Sequence, residues 1–239
     1  FISGAAKLVN ARNVTSLAAS LIVALALVYL AAGGDYFASG EQGILGRAEV
    51  RMTSLSGLRM NADVRVSSEK RGEFTESVVV AVSKNRRFNA VYSVAGTDHY
   101  AVLPAAQVIS SGRKYALHQD GTWSTNDPEV AGVDMRPASF LSNASGIRYI
   151  DRQPVGGAAC EHLSYSGGKA FAQSLFPSSD IPQSAEITVE VWVDTQDHTV
   201  KQLRMDGIGL EQKSLGRFSF HLEATLYNFG ATEEIGPPI

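Results

Sequence analysis

Three Ser-x-x-Lys tetrads occur in the chain: Ser67–Lys70, Ser111–Lys114 and Ser166–Lys169. In penicillin-recognising enzymes this spacing sets a lysine amine beside a serine nucleophile, but only with a companion Ser-Asp-Asn and Lys-Thr-Gly. Both companions are missing, so the repeats carry no acyl-transfer chemistry. Cys160 and His162 are two residues apart, which on a strand puts thiol and imidazole on one face. Without a third group to orient the base, a small buried thiol is the simpler expectation. The five histidines, His99, His118, His162, His198 and His221, fall on separate stretches. A zinc site needs three or four converging ligands, and no pair here has a short ligand spacing. Gly167-Gly168-Lys169 lacks the first glycine of a phosphate-binding loop, because Leu163 occupies that position. His-Glu-x-x-His, Gly-x-Ser-x-Gly and Cys-x-x-Cys are absent. The expectation is a protein that is not an enzyme and uses no metal or organic cofactor.

Charge and cysteine content narrow the classes further. The 239 residues hold 21 basic and 24 acidic side chains, a net charge of −3, so no basic excess attracts nucleic acid. One cysteine excludes an internal disulfide framework. The charge is unevenly placed. Lys7 and Arg12 precede a run, Asn13–Gly34, that has no charged side chain, and Asp35 and Glu41 follow it. A spanning helix needs about 20 apolar residues, against roughly 7–15 for the core of a cleaved signal. Residues 14–34 therefore read as a retained transmembrane signal anchor. The basic flank then sets residues 1–13 in the cytoplasm and the rest outside. Leu30-Ala31-Ala32-Gly33 ends like a lipoprotein signal without the cysteine that would take the lipid. Ala18, Ala19, Ser20, Ala24 and Ala26 are small enough for close packing against other membrane helices.

Downstream, residues 35–43 read as a linker and residues 44–239 as one extracytoplasmic β domain. Ile44, Leu45, Ala48, Met52 and Leu55 recur at spacings near three and four, with Arg47, Glu49 and Arg51 on other faces, which predicts an amphipathic helix. Beyond Gly57 the period becomes two. Leu58, Met60, Ala62, Val64 and Val66 alternate with Arg59, Asn61, Asp63 and Arg65. Further strands are expected at Phe74–Val82, Phe88–Val94, His99–Leu103, Gln107–Ser110 and Lys114–His118, the last turning back through Thr122-Trp123. Ile147–Val155 and Ala158–Ser166 should pair around Gly156-Gly157. Ile187–Val193, Thr199–Met205 and Phe218–Leu226 complete the set. Short helices are expected at Pro137–Asn143 and Lys169–Phe176. Trp192 alternates away from Val191 and Val193, toward the outer sheet surface. The fold class is α+β, mainly β: a curved antiparallel sheet covered by a few helices, plus the N-terminal membrane helix.

Four segments in this order resemble the LppX/LprAFG family of cell-envelope lipoproteins, relatives of the LolA-like carriers. They are Gly112-Arg113-Lys114-Tyr115 with Gly121-Thr122-Trp123; Val191-Trp192-Val193-Asp194; Leu226-Tyr227-Asn228-Phe229-Gly230; and Glu234-Ile235-Gly236-Pro237-Pro238. The match covers roughly residues 42–239 and departs from the family at the missing lipid-bearing cysteine. The resemblance implies a half-open barrel capped by helices around an apolar cavity for lipids or acylated ligands. On that reading the lining residues are Met60, Ala62, Val64, Val80, Phe88, Tyr92, Val189, Val191 and Leu222, with Phe140, Leu141, Phe171 and Phe176 as a helical lid. The functional expectation is a membrane-anchored lipid-binding protein whose partners are membrane lipids. The alternative is an accessory subunit of a larger membrane complex, held to other integral subunits through helix 14–34.

Overall fold

The computed structural model describes residues 40–83, 88–96, 106–110, 113–117, 122–126, 145–175, 181–212 and 215–231. The membrane segment 14–34, the strand expected at His99–Leu103, the helix expected at Pro137–Asn143 and the closing Glu234–Pro238 lie outside them. Among the described residues, no helix is long and apolar enough to cross a membrane.

The chain begins with helix α1 (Gly40–Ser54) and continues as strands β1 (Gly57–Ser68), β2 (Gly72–Ser83), β3 (Phe88–Gly96), β4 (Ala106–Ser110), β5 (Arg113–Leu117) and β6 (Trp123–Asn126). A second set follows: β7 (Ser145–Val155), β8 (Ala158–Gly167), helix α2 (Lys169–Leu175), β9 (Glu186–Asp194), β10 (Val200–Gln212) and β11 (Gly216–Tyr227). All eleven strands join one open antiparallel sheet in the order β6-β5-β4-β3-β2-β1-β11-β10-β9-β8-β7. The first meander runs outward from the centre and the second runs back in. The first and last described strands, β1 and β11, therefore pair. Helix α1 starts at Gly40, inside the stretch read as a linker. Strand β6 starts at Trp123, one residue later than expected.

Alternation along each strand sorts side chains between two faces, and the register lines them up across strands. One row runs Ala62, Ala224, Leu203, Val191, Leu163, and the next runs Val64, Leu222, Met205, Val189, Tyr165. Every one of these is buried. A third row runs Val66, Phe220, Gly207, Ile187, Gly167. Its two glycines make room for rings: a Cβ at Gly207 would run into the Phe220 ring, and one at Gly167 into Phe171 of α2. Helix α1 covers this face with Ile44, Leu45, Ala48 and Met52. The Met52 Sδ accepts the Val200 N–H at 3.4 Å. Fully burying each such Leu, Met or Phe contributes about 1.5–3 kcal/mol.

One side chain of α1 departs from the pattern its helix predicts. Glu49 was expected away from the apolar stripe of α1, yet it is buried. The buried arc of the helix also takes in Gly43 and Gly46, so it is wider than its apolar stripe. Trp192 lies opposite Val191 on the outer face of the sheet, as its alternation predicts, and packs there at 4% exposed. The His162 ring stacks on it at 4.2 Å, and the Arg204 guanidinium lies 5.7 Å from the ring centre.

Candidate functional site

Seven of the thirteen residues expected to line a cavity have described side chains. Met60, Ala62 and Val64 come from β1, Leu222 from β11, Val189 and Val191 from β9, and Phe171 from α2. All seven are at most 3% exposed and belong to one apolar cluster. Adjacent strands with one apolar face cannot leave it in water, so α1 and α2 close over it. The Tyr165 and Phe171 rings meet edge to face at 6.3 Å, which fixes α2 over β8. Backbone register extends the rows into the other half of the sheet. Val80 pairs with Met60, Tyr92 with Val78 beside Ala62, and Phe88 with Val82. Phe140, Leu141 and Phe176 lie outside the described residues. A groove of about 430 Å³ is formed by residues 65–67, 73–75, 206–208 and 219–221 of four strands; it takes in Val66, Gly207 and Phe220 of the third row, and none of the thirteen belongs to it.

One buried acidic side chain lies on the covering helix. Glu49, on α1 between Gly46 and Met52, is 8% exposed, and among the described residues neither carboxylate oxygen has a hydrogen-bond donor. Burial raises its pKa above the usual carboxylate range. The sequence carried no signal for this, since Glu49 is flanked by exposed Arg47 and Arg51 on the same helix.

The opposite face holds a run of polar side-chain contacts that sequence reasoning also missed. His162 meets Asp151 at 3.2 Å and Glu190 at 3.6 Å. Arg204 links Glu190 at 3.3 Å to Glu223 at 2.9 Å. His221 then joins Glu223 at 3.4 Å to Asp206 at 2.7 Å. The Arg204 hydrogen bonds hold the Glu223 carboxyl below its ordinary pKa. These residues alternate with the apolar rows on β8–β11, so the polar half of each strand could be read, but not who meets whom.

The reactive-looking residues resolve into ordinary roles. Cys160 is fully buried, and its Sγ donates to the Ala158 carbonyl at 3.6 Å. Burial, then the nearby Asp194 carboxylate, push the thiol pKa up, so it stays protonated rather than becoming a nucleophile. Asp194 itself accepts the Gln196 N–H at 2.8 Å and pairs with Lys201 at 3.2 Å. This shapes the turn after Val191-Trp192-Val193. Lys201 also sits 4.6 Å over the ring of Phe229, from the closing Leu226–Gly230 segment. Among the described residues, no three His, Cys, Asp or Glu side chains converge as metal ligands would.

No protein-family model and no curated protein matches the chain. Solved structures do. The lipoprotein LppX of Mycobacterium tuberculosis superposes with a TM-score of 0.54 at 14% identity, over 81% of this chain and 96% of its own. LprF from Mycobacterium bovis superposes with a TM-score of 0.51 at 14% identity, over 83% of this chain and 96% of its own. The chain therefore has the mainly-β, open-sheet fold of the LppX and LprF lipoproteins, as its sequence motifs imply.

Proposed function

We propose that this chain is a membrane-tethered, extracytoplasmic domain that binds an acyl lipid or similar apolar ligand and catalyses no reaction. The observation that carries the reading is the unbroken apolar face from β8 to β1, covered by two helices rather than by a second sheet. A helix is a cover that can shift. A lipid chain between α1 and the sheet would meet Met60, Ala62, Val64, Val189, Val191, Leu222 and Phe171. Val80, Phe88 and Tyr92 would extend the slot, and Phe140, Leu141 and Phe176 would cap it. Burying an acyl chain gains about 0.8 kcal/mol per CH₂, so such a slot needs few polar contacts. The fold shared with two lipoproteins supports the same reading, as does the uncharged run 14–34, which would hold the domain at the source of its ligand.

The packing of those seven residues, none more than 3% exposed, favours a second reading. A carrier fold whose slot has closed would serve as an accessory subunit of a membrane complex, docked through helix 14–34. Native mass spectrometry of the full chain extracted in mild detergent separates the two. Lipid adducts on the monomer support the binding protein. A lipid-free chain bound to other membrane proteins supports the subunit.

A further inference from the structure

Glu49 and Asp194 are two acids buried to the same degree and treated differently. Asp194, 7% exposed, has a backbone N–H at 2.8 Å and an ammonium at 3.2 Å. Glu49, 8% exposed, has no donor on either oxygen among the described residues. An unmet buried acceptor destabilises the fold, and more so when charged. A leucine here would remove that cost and still pack. The carboxyl also sits on the helix that covers the apolar face, one turn from Leu45 and Met52, both in the core cluster. Gly46, one turn before it on the same helix, is also buried.

The chemistry of the missing partner can be narrowed. Burial raises the Glu49 pKa, which brings its neutral form closer to physiological pH. A hydroxyl donates to a carboxylate and accepts from a carboxylic acid, so it fits both forms. An ammonium fits only the ionised form and must itself be stripped of water. A phosphate or carboxylate head would be repelled by the ionised form.

We infer that Glu49 is the head-group anchor of the apolar site and takes a hydroxyl of an acyl lipid whose chain lies along Met52, Val193 and Val191, where α1 packs on β9. This deepens the ligand-binding reading above and rests on it. The chain supplies affinity with little selectivity, and the carboxyl fixes which end enters first. A site with a buried polar group rejects an analogue that lacks the matching hydroxyl, because the group is then left unpaired.

The test uses the full chain in mild detergent and two labelled probes of equal chain length, monopalmitoylglycerol and methyl palmitate. Binding of each is measured for wild type, Glu49→Gln and Glu49→Leu. Wild type is expected to prefer monopalmitoylglycerol by about tenfold or more. Glu49→Gln keeps most of the preference, because an amide both donates and accepts. Glu49→Leu binds the two probes alike, holds methyl palmitate as tightly as wild type, and melts at the same temperature or higher. Equal binding of both probes by wild type, or a preference that survives in Glu49→Leu, overturns the anchor and leaves lipid binding intact. Failure of wild type to bind either probe overturns both.

Discussion

Replacing Val64 by Asp tests the two-faced sheet on which the site depends. Val64 is fully buried in the middle of β1, beside Leu222. Losing its apolar burial costs about 1.5–2 kcal/mol. The new carboxyl has no partner in that row and must be neutral to stay. Holding an Asp of pKa about 3.9 neutral at pH 7 costs about 4 kcal/mol, at 1.36 kcal/mol per unit. The sum, about 6 kcal/mol, approaches the whole stability of an ordinary domain, about 5–15 kcal/mol. The sign of the pH effect is fixed. The folded pKa of the new acid is raised, so its penalty vanishes below the unfolded pKa and grows as pH rises above it. Going from pH 7 to pH 5 should restore about 2.7 kcal/mol. Asp63→Ala, one residue away, removes an exposed carboxylate that stands opposite Glu223, and should change stability by less than about 0.5 kcal/mol. Chemical denaturation of the full chain followed by circular dichroism, at pH 5 and pH 7, measures both. Equal stabilities for the two variants, or a Val64→Asp penalty that does not depend on pH, would refute the facing and the register.

Other outcomes follow from single contacts. Gly207→Ala should cost about 1–3 kcal/mol in denaturation midpoints by driving a Cβ into the Phe220 ring, whereas Gly168→Ala, with only Ala185 O at 3.9 Å, should be near neutral. Cys160 should resist iodoacetamide at pH 8 in the native chain and react fully once unfolded, as read by mass spectrometry. Glu223, with its pKa lowered by Arg204, stabilises the fold above its unfolded pKa of about 4.3 and loses that contribution as pH falls through the lower folded value. The stability gap between wild type and Glu223→Gln should therefore shrink as the buffer is taken below about pH 4.

Much of the fold is legible because strand periodicity is simple. Leu58 to Val66 alternate without a break, and the positive φ of Gly156 and Gly157 closes the β7–β8 hairpin where the sequence places it. The closing strand, Phe218–Leu226, is equally plain. What escaped depends on residues far apart in sequence. Arg204 reaches Glu190 and Glu223 only once β9, β10 and β11 are in register, and register is a property of pairs of strands. Glu49 escaped for a different reason. Helical spacing marks the apolar stripe, but the width of the arc that becomes buried depends on what the helix lies against. The apolar faces of β1, β9 and β11 are readable as faces. Whether a chain of methylenes enters between them and α1 is a matter of volume, which letters do not encode.

Organic extraction and mass spectrometry of the purified full chain, beside an Ala62→Trp variant, test the ligand-binding account most directly. Ala62 stands at the β1 end of the buried apolar row, 3% exposed, beside Ala224. The account predicts a stoichiometric acyl lipid in the wild-type extract and none in a variant that still melts near the wild-type temperature, the indole having taken the place of the chain. An extract without lipid from the wild-type chain, together with an Ala62→Trp variant destabilised by about 1–3 kcal/mol through overpacking, would contradict it.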